Sequence, residues 1–341
     1  MTTFHNRRSA QIENSDIRVT VTAEGGHIAE IQHKATGVNP LWIPPWPSIE
    51  PSTYALPKNP EYGADAESKL LAGIMGHNLC LDLFGSPSPE EAAAGMTVHG
   101  EASIAQYKIS LTDRDLTAAC SMPAAQLQFE RHIRLDAKRV LITETVENVS
   151  ILDRPIAWTQ HATLGPPFLE KGATQFRAPG TKAHTLSTNQ DFDWPIALRK
   201  DGKKEDLQLY TSAASSGGFD TILMDPHRDH AFFFAFHPKT KVLFGYVWKR
   251  SDFPWLGIWE ENYNRKQPPW NGRTLTRGME FGASPIPESR RKMIDRHSLF
   301  GLPAYRWIPA KSKVQAEYYA FITTADSIPN TLEELQVHVP A

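Results

Sequence analysis

Cysteine is almost absent: Cys80 and Cys120 are the only two in 341 residues, too few for a disulfide framework to hold the chain together. A reducing, cytoplasmic setting is the expectation. Long apolar runs are missing as well. No window approaches the ~18 apolar residues that span a bilayer, and Met1 to Ala10 carries two arginines with no apolar stretch behind them, unlike a secretory leader. Neither sign of charge dominates, since 36 basic and 38 acidic residues leave a formal net of -2. Nucleic-acid binders normally show a basic excess or a basic stripe. The nearest approach here is Arg290-Arg291-Lys292, read as a solvated turn. The chain also lacks a GxGxxG fingerprint, a P-loop, an HExxH or paired-cysteine metal motif and a GxSxG elbow. No cofactor and no metal are therefore expected, and neither a nucleic acid nor a membrane as partner. The sequence sets no oligomeric state.

Helical periodicity is also scarce, while 26 prolines and 21 glycines are spread along the whole length. Short β-rich runs take its place. Ile17 to Ala23 alternates cleanly, Glu24-Gly25-Gly26 turns, and His27 to His33 returns, which predicts a hairpin. Further strands are expected at Ala105–Asp113, Leu116–Cys120, Leu127–Leu135, Val140–Asn148 and Ile156–Leu164, then at Ala231–His237, Val242–Trp248, Leu256–Glu260 and Ala316–Thr323. Helix is expected only at Pro89–Ala94 and Ile328–Leu335, the latter with Pro329 near its start. Strands at short spacing with turn residues between them favour a sandwich or barrel. With no repeat and no linker-like segment, one all-β domain over residues 1–341 is expected: a large antiparallel β-sandwich with few short helices.

Nine tryptophans sit mostly in or beside proline-rich loops, at 42–46 (WIPPW), 252–265 (DFPWLGIWEENYNR), 268–272 (PPWNG) and 305–309 (YRWIP). Sugars present flat C–H faces rimmed by hydroxyls, so aromatic platforms beside Asn, Glu and Arg suit them. A tryptophan in such a place serves equally well as a cap on a sandwich core. Trp259-Glu260-Glu261-Asn262 is the most sugar-like of these runs, which nominates Trp259, Glu260 and Asn262 as substrate contacts. Three glycine-bordered segments carry acid–base side chains: Val98-His99-Gly100, Thr159-Gln160-His161-Ala162-Thr163 with Gly165 beyond, and Gly278-Met279-Glu280-Phe281-Gly282. Glycine beside such a residue lets a ligand approach the backbone closely. His77 and His99 flank the CLDLFG segment, and His77 reads either as a pocket residue or as a loop hydrogen-bonding partner.

Taken in order, these segments resemble the galactose mutarotase (aldose 1-epimerase) superfamily. Glu147-Asn148, Pro155 and His161 are similar to the family's asparagine–proline–histidine element, and Val98-His99-Gly100 to its earlier His-Gly. Gly218-Phe219-Asp220 is similar to its sugar-binding turn, and Gly278-Met279-Glu280 to its late strand with the glutamate. The matches run from about residue 17 to 285. The resemblance implies a β-sandwich that interconverts sugar anomers, with a small-molecule sugar as the partner. Glu280 would take the proton from the C1 hydroxyl, His161 would donate to the ring oxygen, and His99 would hold that oxygen or a neighbouring hydroxyl. Asp220 would bind sugar hydroxyls, although a Gly-Gly-x-Asp run is also an ordinary turn. His77 and Asn78 stand where the family has an Asn-Arg element, and Glu101 follows His99-Gly100 where a small residue is usual. Two other readings of the same fold remain. One is a non-catalytic carbohydrate-binding or sensing domain. The other is a sugar-phosphate epimerase, which would need a basic pocket from Arg250, Arg265 or Arg277.

Overall fold

Alternation with period two, which in a strand sends successive side chains to opposite faces, is obeyed strictly in Arg139–Asn148, where every second residue is buried. Its neighbour Leu127–Asp136 follows the same rule. The two pair residue for residue from Leu127↔Asn148 to Asp136↔Arg139. A computed structural model, which describes residues 1–211 and 215–339, shows how such strands assemble. They form two large antiparallel sheets.

The smaller has eight strands in the spatial order Gln175–Arg177, His230–His237, Val242–Lys249, Lys313–Thr324, Arg139–Asn148, Leu127–Asp136, Asp115–Met122 and Lys108–Leu111. The larger runs Thr2–Phe4, Arg7–Glu13, Ile17–Thr22, Ile28–His33, His77–Asp82, Arg154–Leu164, Leu275–Gly282, Trp255–Asn262, Ser216–Met224, Gly180–Thr185 and Gln190–Asp193. Arg306–Ile308 pairs with the start of the Arg154–Leu164 strand and completes its twelve. Both packed faces are apolar, and the core between them is aromatic. Trp248 stacks on Phe281 at 4.3 Å, and Trp158 meets Phe253 edge-on at 5.5 Å. Burying side chains of this kind contributes about 1.5–3 kcal/mol each.

A polar network crosses this core. Arg131 Nε donates to Glu144 Oε1 at 2.7 Å, while Gln160 Nε2 and Trp158 Nε1 donate to Glu144 Oε2 at 2.6 and 2.9 Å. The Tyr318 hydroxyl donates to Glu144 Oε1 at 2.8 Å. Every member is buried. Arg131 and Glu144 are a fully buried charge pair, kept tolerable because the remaining donors and acceptors are satisfied.

The expected hairpin forms as Ile17–Thr22 and Ile28–His33, and the expected first helix as Pro89–Ala93. Three expectations are corrected. The strand at Ala105–Asp113 shortens to Lys108–Leu111, because the Ala105 carbonyl and the Tyr107 N–H are spent clamping the Gly25-Gly26 turn. The last helix runs Leu332–Gln336, not from Ile328, since Thr331 rather than Pro329 provides its cap by accepting from the Glu334 N–H. Arg290-Arg291-Lys292 opens a helix, Arg290–Arg296, capped by Ser289, instead of a turn. A fourth short helix, Ser68–Leu71, carried no sequence expectation. Among the described residues no helix is long and apolar enough to cross a membrane.

Candidate active site

The strand Arg154–Leu164 lies inside the larger sheet, flanked by His77–Asp82 and Leu275–Gly282, and is buried at every position after Arg154. His161 stands opposite Asn78 on one side and Glu280 on the other, and Glu280 in turn stands opposite Gly257. Directly opposed residues share a face, so Asn78, His161 and Glu280 form one row. His161 Nε2 lies 3.0 Å from Glu280 Oε1, and its Nδ1 is 3.0 Å from the Thr163 hydroxyl. Two glycines on this face make room. A Cβ at Gly278 would collide with the Glu280 carboxyl and one at Gly257 with the Phe219 ring. Side chains there would push both groups off the sheet.

His99 comes from a tight turn rather than a strand. It adopts φ +62° and Gly100 φ +82°, and a Cβ on Gly100 would overlap the Leu81 carbonyl oxygen. Only glycine fits that contact. His99 Nδ1 is 2.6 Å from the Phe84 carbonyl oxygen. A carbonyl can only accept, so Nδ1 carries the proton and Nε2 keeps its lone pair in the neutral ring. The His99 and His161 rings are 5.2 Å apart, and Trp259 is 5.7 Å from His161.

Burial pushes the Glu280 carboxyl well above its ordinary range. It pushes His161 well below its own, with the neighbouring His99 adding to the effect. His99 is lowered by burial too, partly offset by its bond to Phe84. Low dielectric disfavours charge, so the neutral forms win. Carboxylic acid beside imidazole, and carboxylate beside imidazolium, hold the same number of protons. Burial favours the neutral pair, with Glu280 Oε1 left without a hydrogen-bond partner among the described residues.

These groups open into a cleft of about 490 Å³. Trp42 and Trp270 line one wall, stacked parallel at 6.1 Å, with Trp46 behind them edge-on to both at 5.6 and 5.2 Å. Arg265 lies over Trp270 at 4.9 Å and its NH1 donates to Glu67 at 2.9 Å, tying two sequence-distant loops together at the rim. In the sequence the indoles at 42 and 270 stand out only as members of proline-rich runs. Glu67 belongs to no local motif that would signal a place at the cleft.

His161, Glu280, His99 and Trp259 thus meet at one cleft. Asn78 is fully buried in the same row. The other nominated residues are placed differently. His77 turns to the opposite face, where Nε2 contacts Gln160 and Nδ1 the Tyr246 hydroxyl, each at 2.9 Å, and so joins the core network instead of the cleft. Glu260 reaches the cleft edge, but its carboxylate accepts from Arg277 Nε at 2.7 Å and Asn262 Nδ2 at 3.0 Å. Asn262 lies below it, fully buried and hydrogen-bonded to Tyr210 and Ser216. Asp220 pairs with Arg199 at 2.9 Å in an adjoining groove.

The basic pocket required by a sugar-phosphate reading does not form from its three arginines. Arg277 is fully buried against Phe176 and Tyr210, Arg250 binds the Arg228 carbonyl on a surface turn, and Arg265 is paired with Glu67 and Glu261. Among the described residues no three His, Cys, Asp or Glu side chains gather as a metal site would require.

The architecture is thus an antiparallel β-sandwich with His161 and Glu280 facing an aromatic-walled cleft. The particular fold is the galactose mutarotase-like one. It is shared with a candidate aldose 1-epimerase from Klebsiella pneumoniae (TM-score 0.71, 14% identity, covering 96% of this chain and 82% of that one). A galactose mutarotase-like protein from Clostridium acetobutylicum has TM-score 0.65 and 13% identity over 95% of this chain and 98% of its own. A galactose mutarotase related enzyme from Lactobacillus acidophilus has TM-score 0.62 and 13% identity over 94% and 100%. No family model and no curated protein matches the sequence.

Proposed function

We propose that this chain is an isomerase of the aldose 1-epimerase type, acting on a sugar whose C1 hydroxyl and ring oxygen face Glu280 and His161 from the cleft. The observation that carries the reading is the direct register of these two residues on adjacent strands, 3.0 Å apart and facing one cleft. O1 and the ring oxygen share a single carbon, so the base and acid that serve them must be neighbours. The Glu280 carboxylate takes the proton from O1, the C1–O bond to the ring breaks as C1=O forms, and the His161 imidazolium delivers its proton to the ring oxygen. Rotation about C1–C2 presents the other face of the aldehyde. The reverse transfers then close the ring as the opposite anomer and restore both groups.

The reaction starts from the ion-pair form, which holds the same proton as the neutral form favoured by burial. Sugar hydroxyls entering the cleft supply the polar surroundings that shift the proton to His161. His99, protonated on Nδ1 through Phe84, offers Nε2 as an acceptor for a neighbouring hydroxyl. Trp259 and Trp270 give the apolar face of the ring a platform.

Polarimetry or NMR exchange over a panel of aldoses tests this. The wild type should accelerate anomer exchange, and His161→Asn should lower the rate by about 10²–10⁴-fold, the usual worth of a positioned proton donor. Binding of sugars without acceleration by the wild type would replace the enzyme with a sugar-binding or sensing domain.

A further inference from the structure

The cleft does not end at Glu280. A second groove of about 760 Å³ adjoins it, and Ser187, Gly217, Gly218, Glu260 and Asn264 border both. Strand ends explain the junction. The Gly180–Thr185 strand follows Ser216–Met224 only as far as the Thr185↔Asp220 pair, with one more bond from the Leu186 N–H to the Phe219 carbonyl. Ser216, Gly217 and Gly218 are therefore paired on one side only, against Asn262, Glu261 and Glu260. Around this open edge the two faces of the sheet communicate.

The groove differs in character from the cleft. Where the cleft is walled in part by indoles, the side chains lining the groove are mostly charged and of both signs, five carboxylates against four cations. Arg199 holds Asp220, itself 3% exposed, and also Glu205, while Lys203 holds Asp201 at 2.8 Å. Such matched donors and acceptors suit a neutral polyhydroxylated ring better than a phosphate or a hydrocarbon. Gly218 is the informative residue. Its φ is not positive, and a Cβ there would meet nothing within 4 Å. Neither conformation nor packing asks for glycine, which weakens a strand. What its bareness does is keep the floor low where the two spaces join.

We propose that this groove is a subsite for a second sugar unit, so that the substrate class is the reducing disaccharide or longer oligosaccharide. Its reducing-end ring lies in the cleft with C1 at Glu280, and the next unit lies over Gly218 against Arg199 and Asp220. The assignment rests on the epimerase reading of the cleft.

The test compares kcat/KM for anomer exchange of glucose and galactose with that of maltose, lactose and cellobiose. The wild type should favour at least one disaccharide by about tenfold, the worth of one or two net hydrogen bonds. Gly218→Leu, which fills the floor, and Arg199→Gln, which alters the facing wall, should each bring the disaccharide-to-monosaccharide ratio near one. Gly218→Ala controls for folding, because its methyl group meets no neighbour. Equal wild-type kcat/KM for both classes overturns the proposal, as does an equal loss on both classes in the variants. If no sugar is epimerised, the catalytic reading fails and calorimetry with the same sugars judges the groove. Tighter binding of a disaccharide that Gly218→Leu abolishes sustains it; equal or absent binding ends it.

Discussion

Glu280→Gln should remove the chemistry and stabilise the fold, and the pH dependence of that stabilisation follows from the burial of one carboxyl. Glu280 is 3% exposed, and its folded pKa lies well above the ordinary 4.5. As pH rises past 4.5 the unfolded glutamate loses its proton while the folded one keeps it. The folded state then binds more protons, so stability falls with rising pH by up to about 1.4 kcal/mol per pH unit until the raised folded pKa is passed. His161 works in the opposite sense. Its folded pKa is below 6.5, so between that value and 6.5 the unfolded chain binds the extra proton, and stability rises with pH. That contribution ends at 6.5, above which the glutamate alone acts. Glutamine keeps the shape and has no charge to desolvate. Urea unfolding at pH 6, 7 and 8 should therefore show the Glu280→Gln advantage widening as pH rises, for as long as the raised folded pKa is not passed. Anomer exchange should meanwhile drop about 10²–10⁴-fold. A constant difference at all three pH values would refute the reasoning, because it would mean that Glu280 ionises in the fold as freely as in water.

Two further substitutions probe the scaffold. Arg131→Met leaves Glu144 as an unpaired buried charge and should cost about 3–5 kcal/mol in chemical denaturation, with Glu144→Gln added to it recovering part of the loss; an effect below about 1 kcal/mol would show the pair to be expendable. Gly100→Ala forces a side chain into the Leu81 carbonyl at a left-handed backbone position and should destabilise by about 1–3 kcal/mol or more, with a matching fall in sugar affinity as His99 moves. Wild-type melting and binding curves in this variant would contradict the turn's role.

Strand positions were legible wherever one face of a sheet is buried, because the period-two signal is then written into residue type. Arg139–Asn148 is the clearest case. The signal fades in Ser216–Met224, which carried no expectation, since its buried run does not alternate. The acid–base residues could be nominated from type and neighbouring glycines, yet nothing local revealed that His161 and Glu280 share a register, which is a property of strand order. The same blindness explains His77 and Asn78. Adjacent residues on a strand cannot both face one cleft, and the row set by His161 selects Asn78. In the Trp259 to Asn262 run the faces split likewise, sending Trp259 to the cleft and Asn262 beneath it. Glu67 was invisible because its partner, Arg265, comes from a distant loop.

The order of strands in the smaller sheet has a consequence for how the protein is made. Lys313–Thr324 lies between Val242–Lys249 and Arg139–Asn148, so the two halves of that sheet meet only through a segment synthesised after all its other strands. A nascent chain halted before it exposes two unpaired strand edges and the aromatic faces that Tyr318 and Phe321 would cover, the kind of surface on which neighbouring chains aggregate. Assembly of this sheet must await the last of its strands in chain order, and pairings this distant in sequence fold slowly. Emergence of Lys313–Thr324, rather than of the His161 strand, is the moment at which the sandwich behind the cleft can close.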